Sequence, residues 1–316
     1  MSNNSSFSRP PRVLFFGMEG NFSLPPFQAL LEHEIEVCAI AIPAAQDFRP
    51  QLPAISEREQ PRPSRFMLPM FQSPLQTSPL RLAWEKQIPV WEVRNLSDPE
   101  TISVLAAYQA DMICVACFSL RIPRVILDLP RLGCLNVHPS LLPANRGPVP
   151  LFWTFHEGHQ QIGVTIHLMD EGMDTGDILA QEQLAVPGGI RYEELELQCA
   201  RCGGELLAQA VWSLYKGEAV RTPQDEMKGS YFPFPSEDDF VVLTAEWDAR
   251  RVYNFIRGVA NWHGPVTLRT NNQRILVQNT ISYSREKVDN VGDEKKDNHG
   301  EVLRVQCKDG WVIVRV

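Results

Sequence analysis

The chain has 316 residues, of which 44% are hydrophobic and 22% are charged, a composition that excludes collagen-like, coiled-coil and fully disordered proteins. It carries 30 Lys plus Arg against 38 Asp plus Glu, a net charge of -8, which argues against a protein that coats nucleic acid nonspecifically. No apolar run reaches the roughly 18 residues that cross a bilayer, and the N-terminal residues lack the apolar core of a signal peptide. We therefore expect a cytoplasmic, monomeric protein of two domains without a membrane contact.

In chain order, a polar segment at residues 1–11 is predicted to be a disordered tail. Strands and helices then alternate, which predicts an α/β domain over residues 12–216 with a mostly parallel, Rossmann-like sheet covered on both faces. The predicted strands are residues 12–18, 36–42, 88–93, 112–118, 134–138, 163–169 and 178–186. One helix is predicted to begin near Pro25. The other predicted helices are residues 80–87, 98–109, 123–128, 150–157 and 192–216.

A long proline-rich segment, residues 43–79, interrupts this alternation. It shows neither a helical nor a strand period, and it contains Arg49, Arg58, Arg62 and Arg65. Loops of this length in a compact domain are usually functional or disordered.

The last hundred residues have a different pattern. Residues 217–236 have no period and are predicted to be a linker. A helix at residues 249–259 is followed by short strand-like runs at 265–270, 274–284, 300–307 and 310–316, with a polar, mobile hairpin loop predicted at 286–300. These runs predict a small β-barrel of the oligonucleotide-binding (OB) type over residues 237–316.

The spacing of the cysteines and glycines argues against a metal ion and against NAD as cofactors. The seven cysteines are predicted to be free thiols, and Cys114 and Cys117 cannot share a metal because residues three apart on a strand point to opposite faces. Gly17 and Gly20 after the first strand do not form a G-x-G-x-x-G turn, so no NAD is expected. No metal is expected either.

The chemically informative segment follows the strand at residues 134–138. Asn136 and His138 are two residues apart on this strand, so both side chains leave the same face. Asp174 lies in the loop after the following strand, and its carboxylate could orient or ionise the imidazole. An Asn-x-His pair at a strand end is common by chance, and it could simply satisfy loop backbone groups. His167, which alternates with apolar residues, is predicted to be a structural histidine.

Several segments together resemble the folate-dependent formyltransferases. They are residues 128–133 (DLPRLG), 136–143 (NVHPSLLP), 146–147 (RG), 163–166 (GVTI) and 173–177 (MDTGD). The resemblance is strong over residues 12–216 and weaker in the helix at 249–262.

The resemblance implies that Asn136, His138 and Asp174 are the catalytic residues, with 10-formyltetrahydrofolate as the formyl donor and co-substrate. It also implies a folate site at two segments after predicted strands and at the Asp174 loop. The implied folate-binding residues are Phe118, Ser119, Leu120, Ile122, Pro123, Ser140, Leu141, Leu142, Pro143, Asp170, Gly172 and Met173.

The acceptor implied by the resemblance is the amino group of methionyl-tRNA in translation initiation. The cations predicted to contact tRNA are Arg49, Arg58, Arg62 and Arg65 in the loop and Arg250, Arg251 and Arg257 on the second-domain helix. The loop departs from the pattern of such enzymes, because it is longer and rich in proline. Residues 237–316 carry equal numbers of basic and acidic side chains, which weakens the case for tRNA. A small amine, such as a nucleotide-linked amino sugar, is therefore the alternative acceptor, and a noncatalytic RNA- or folate-binding paralogue is the alternative of another class.

Overall fold

The computed structural model of the chain describes residues 9–45, 52–61, 78–270, 273–286, 295–296 and 301–316. Three of the four predicted loop cations, Arg49, Arg62 and Arg65, lie outside the described residues. So do residues 1–8 of the predicted tail and most of the predicted hairpin loop at 286–300.

The chain divides into two compact units, each made of several segments. The first unit contains the described residues up to Pro143 together with Val164–Glu182 and Leu197–Lys228. The second contains Ala144–Gly163, Gln183–Glu196 and Gly229–Val316. The predicted linker is thus shared between the units, and the predicted domain bounds 12–216 and 237–316 stay a prediction.

One eight-stranded sheet organises the N-terminal part, in the order β3-β4-β2-β1-β5-β6-β7-β8. Its inner pairs are parallel, from β4 across to β6, whereas β3 and β7 pair antiparallel with β4 and β6. The mostly parallel α/β sheet is therefore confirmed. The strands are β1 (Arg12–Gly17), β2 (Glu36–Pro43), β3 (Ile55–Glu57), β4 (Val90–Val93), β5 (Met112–Ala116), β6 (Cys134–His138), β7 (Gln161–Leu168) and β8 (Ile178–Ala185).

The central strands are continuous apolar runs because helices cover both faces of a parallel sheet. In β1, four consecutive residues from Val13 to Phe16 are at most 1% exposed. The helices of this part are α1 (Leu24–Glu32), α2 (Pro79–Glu85), α3 (Pro99–Ala107), α4 (Arg124–Leu127), α5 (Pro150–His156) and α6 (Tyr192–Lys216).

The long helix α6 packs closely on the sheet through a glycine. A Cβ at Gly203 would overlap the side chain of Val137 in β6 and lie 3.1 Å from that of Val164 in β7. Only the absence of a side chain allows this approach, so Gly203 brings α6 onto β7 and onto β6, the strand that carries Asn136 and His138.

A buried carboxylate ties β1 to β5. The side chain of Asp111, only 2% exposed, accepts hydrogen bonds from Arg9, the Arg12 amide and Arg131 at 2.8–3.0 Å. Burial alone would raise the pKa of Asp111, but these hydrogen bonds outweigh it and hold the pKa below its usual value.

The prediction that residues 43–79 contain no strand is wrong at Ile55–Glu57. These residues form β3, which pairs antiparallel with β4, with Ile55 opposite Val93. Three residues are too few to show an alternating pattern, and the strand forms because the edge of β4 offers unpaired backbone groups.

The C-terminal part of the chain, from Val241 onward, contains two smaller sheets and the helix α7 (Ala249–His263). The strands are β9 (Val241–Leu243), β10 (Val266–Arg269), β11 (Arg274–Val277), β12 (Asn279–Ser284), β13 (Lys295–Lys296), β14 (Val302–Cys307) and β15 (Gly310–Arg315). The sheet orders are β11-β10-β9 and β12-β15-β14-β13. The smaller C-terminal sheet domain is therefore confirmed, whereas closure of its sheets into a barrel stays a prediction.

Two further findings concern the described residues. None of the seven cysteines, all of which are described, forms a disulfide, as predicted. No helix in the described part of the chain is both long and apolar enough to span a membrane.

Candidate active site

The site is built on the pairing of β6 with β7. In this antiparallel pair, Asn136 lies opposite His167, and His138 lies opposite Thr165. Residues directly opposite each other in a sheet project their side chains from the same face. One face of two neighbouring strands therefore carries an amide, two imidazoles and a hydroxyl.

The structure brings Asp174 to these histidines from the loop between β7 and β8. Its carboxylate oxygens lie 3.8 Å from Nδ1 of His138 and 3.6 Å from Nε2 of His167. Both imidazoles are at most 5% exposed and the Asp174 side chain is 10% exposed. Since the surroundings are largely desolvated, charge on any of these groups acts strongly on the others.

The loop that carries Asp174 is held in one conformation by its own residues. Asp174 has a left-handed backbone with φ of 55°. Asp170 Oδ1 accepts hydrogen bonds from the Gly172 amide and the Thr175 hydroxyl at 3.0 and 2.6 Å. Gly176 must be a glycine, because a Cβ there would overlap the carbonyl oxygen of Leu168.

The predicted linker also contributes to this loop. The Gln224 side-chain amide donates to the carbonyl oxygens of Asp174 and Gly176, both at 2.8 Å. Thr222 and Ile178 exchange two backbone hydrogen bonds at 2.9 Å next to it. Residues 222–224 are therefore a strap that fixes the backbone on both sides of Thr175.

A second loop, residues 139–143, follows His138 and is anchored by the buried Thr165 hydroxyl. This hydroxyl donates to the carbonyl of Ser140 at 2.6 Å and accepts from the Leu142 amide at 3.2 Å and from Gln181 Nε2 at 2.9 Å. Gln181 also donates to the Leu142 carbonyl at 2.7 Å. The hydroxyl thus makes three hydrogen bonds, the full capacity of its donor and two lone pairs.

The residues predicted to bind folate lie in three segments around this face. Phe118 to Pro123 follow β5, the strand beside β6, and the Phe118 ring packs 5.0 Å from that of Phe16. Ser140 and Leu142 are buried in the anchored loop, whereas Met173 is 51% exposed beside Asp174. Contact of these residues with folate stays a prediction.

Three of the four described arginines predicted to contact tRNA make hydrogen bonds or ion pairs within their own units. Arg58 pairs with Glu19 and Glu92 at 2.7 and 3.1 Å. Arg251 Nε donates to the His156 carbonyl, and Arg257 Nε donates to the Gly189 carbonyl at 2.6 Å. Arg250 is partly exposed on α7. Their contact with tRNA also stays a prediction.

Sequence reasoning did not assign His167, Thr165, Gln181 or Gln224 to the site. Strand parity places residues 165 and 167 on one face of β7, but only the β6–β7 register shows that this face also carries Asn136 and His138. No local pattern marks Gln181 or Gln224. Among the described residues, no group of three His, Cys, Asp or Glu side chains is arranged to hold a metal ion.

A sheet of this order with an amide, imidazoles and a carboxylate gathered on one face suits transfer of an acyl group. The family description "Formyl transferase" matches residues 59–211, and "Formyl transferase, C-terminal domain" matches residues 237–316. The chain belongs to the formyltransferase family.

Curated relatives of this chain include methionyl-tRNA formyltransferases. That of Synechococcus sp. (strain JA-3-3Ab) is 36% identical over 249 residues, which cover 78% of this chain and 70% of the relative. That of Chlamydia abortus is 30% identical over 311 residues, 96% of this chain and 89% of the relative.

Solved structures share the fold at low sequence identity. An N-formyltransferase from Helicobacter canadensis, solved with folinic acid and dTDP-3-aminofucose, is 16% identical, with a TM-score of 0.62 over 96% of this chain and 98% of that chain. A methionyl-tRNA formyltransferase from Clostridium thermocellum is 14% identical, with a TM-score of 0.53 over 86% and 93% of the two chains.

Proposed function

We propose that this chain transfers the formyl group of 10-formyltetrahydrofolate to the amino group of methionyl-tRNA. The observation that carries the proposal is the cluster of Asn136, His138 and Asp174 on one face of β6 and its neighbouring loop. The names of the curated relatives, which cover most of the chain, support methionyl-tRNA as the acceptor.

In this reaction the neutral amine attacks the formyl carbon, and the formyl oxygen becomes an oxyanion. Asn136 is partly exposed and has two amide N–H groups. One of these points to His167 at 3.1 Å, and the other is available to the oxyanion. A donor from His138 would complete the stabilisation, and one such donor is worth roughly 3 kcal/mol in the transition state.

The reaction must also move one proton. The C–N bond to folate N10 breaks, the new C–N bond forms on the acceptor, and the proton lost by the amine ends on N10. Asp174, 3.8 Å from His138 Nδ1, stabilises the imidazolium form of His138 and holds the ring while it passes this proton on, directly or through water. The products are an N-formyl amine and tetrahydrofolate.

The folate would lie against the three segments of predicted contacts, because these surround the catalytic face. Their backbone groups would provide most of the polar contacts to the pterin. The tRNA phosphates would use the predicted arginines, including the guanidinium N–H groups of Arg251 and Arg257 beyond the Nε donors already used by carbonyls.

The experiment is a formylation assay with the purified chain and 10-formyltetrahydrofolate. Methionyl-tRNA and an amino-sugar nucleotide are offered separately as acceptors, and the formylated products are identified by mass spectrometry. We expect kcat/KM for methionyl-tRNA to exceed that for the sugar nucleotide by at least about a hundredfold. The reverse preference would replace the proposed acceptor by a small amine, and no transfer to either would favour a noncatalytic paralogue.

A further inference from the structure

His167 touches two of the three residues assigned to catalysis. It is 1% exposed on β7 directly opposite Asn136. Its Nε2 lies 3.1 Å from Asn136 Nδ2 and 3.6 Å from Asp174 Oδ1. Its Nδ1 lies 2.9 Å from the carbonyl oxygen of Leu168.

These contacts determine the tautomer of the neutral ring. A carbonyl oxygen only accepts hydrogen bonds, so the proton of His167 resides on Nδ1. Nε2 is then a bare nitrogen with a lone pair, and its hydrogen-bond partner must be a donor. The nitrogen of the Asn136 amide, rather than its oxygen, therefore faces His167.

The orientation of this amide decides whether Asn136 can stabilise an oxyanion. With the amide nitrogen held toward His167, its second N–H is kept in a fixed plane. If the amide turned by 180° about its last bond, the carbonyl oxygen would take that place. An oxyanion would then meet an acceptor instead of a donor.

We propose that His167, as the neutral Nδ1–H tautomer, is a positioning residue that holds the Asn136 amide with its nitrogen toward the reacting carbonyl. The inference rests on the proposed function, because the oxyanion arises in that reaction. It assigns a role to a residue expected to be merely structural. The Leu168 carbonyl determines the tautomer of His167, and this tautomer determines the orientation of the Asn136 amide. The amide in this orientation donates a hydrogen bond to the oxyanion.

The test compares two substitutions of similar size in the full chain. His167→Gln keeps an oxygen that can accept from Asn136, whereas His167→Met has no comparable acceptor. We expect His167→Met to lower kcat by at least about tenfold while KM for 10-formyltetrahydrofolate changes less than about twofold. His167→Gln should stay within about threefold of the wild-type kcat. Equal loss in both variants, or a change in KM alone, would overturn the proposal.

A second measurement tests the tautomer without any substitution or turnover. In the wild-type chain labelled with ¹⁵N-histidine, NMR should show His167 with a protonated, pyrrole-type Nδ1 and a bare, pyridine-type Nε2. A protonated Nε2, whether in the neutral ring or in an imidazolium, would overturn the proposal even if both variants failed to fold. Wild-type enzyme that transfers no formyl group would refute the proposed function instead, and the tautomer would still decide whether His167 can hold the Asn136 amide.

Discussion

The Gln224 strap offers a sharp test of how the Asp174 loop is positioned. Its amide makes two hydrogen bonds of 2.8 Å to the carbonyl oxygens of Asp174 and Gly176. In Gln224→Met the side chain keeps nearly the same length but loses both donors. Asp170 and the glycines still favour the loop conformation, so the substitution removes one support and leaves the others.

The expected magnitude follows from the two lost bonds. A neutral hydrogen bond contributes about 1 kcal/mol net, so the native loop conformation should lose about 2 kcal/mol relative to open conformations. Since about 1.4 kcal/mol is a factor of ten, its population ratio should fall by about thirtyfold. The unfolding free energy of the whole chain should fall by no more than about 2 kcal/mol.

Hydrogen exchange of the loop amides at residues 170–177 measures this ratio directly. We expect exchange to accelerate by about thirtyfold in Gln224→Met, with β1 unchanged, and kcat to fall because Asp174 leaves its place beside His138. Gln198→Met, at an exposed position on α6, is the matched control and should leave both quantities unchanged. Unaltered loop exchange in Gln224→Met would refute the assignment of residues 222–224 as a strap.

Three further predictions concern stability and thiol reactivity. Because the pKa of Asp111 is lowered in the folded state, its carboxylate stabilises the fold above its unfolded pKa of about 3.9, and this contribution is lost as the pH falls through the folded pKa. In denaturant titrations, Asp111→Asn should lower the free energy of unfolding by about 2 kcal/mol at pH 7 and by less below about pH 4. The exposed Asp128→Asn is the control and should be nearly neutral. Thr165→Val removes a buried hydroxyl with three hydrogen bonds and should cost about 3 kcal/mol in the same titration. An unchanged midpoint would show that this hydroxyl does not anchor the 139–143 loop. Of the seven cysteines, Cys117 is exposed, whereas burial raises the pKa of thiols such as Cys134 to about 12. A disulfide reagent should therefore show one fast phase that Cys117→Ser abolishes. A fast phase that survives in this variant would contradict the prediction.

The alternation of apolar and polar segments was enough to predict the large sheet, because parallel strands buried on both faces are apolar runs that sequence displays directly. It was also enough for α6, predicted at residues 192–216 and observed at Tyr192–Lys216. The short strand β3 was missed because three residues carry no period. The strand β9 (Val241–Leu243), which pairs in parallel with β10, was missed for the same reason.

Strand parity and family resemblance were enough to predict some residues of the candidate site. They could not predict residues whose contacts join segments that are distant in sequence. Asn136 and His138 follow from parity on β6. His167 needed the antiparallel β6–β7 register, which places it opposite Asn136 and which no local pattern fixes. Gln224 needed the return of the chain after α6 to the Asp174 loop, a contact over 50 residues in sequence.

We propose that His138, at the end of β6, and Asp174, in the loop between β7 and β8, carry out formyl transfer together. The most direct test of this proposal is the single-turnover rate of formyl transfer to methionyl-tRNA by His138→Ala and by Asp174→Asn, each shown to be folded by its unfolding transition. We expect each variant to be slower than the wild-type chain by at least about a hundredfold, the usual contribution of one acid-base or oxyanion group. A folded variant of either residue that transfers the formyl group at a near wild-type rate would contradict it.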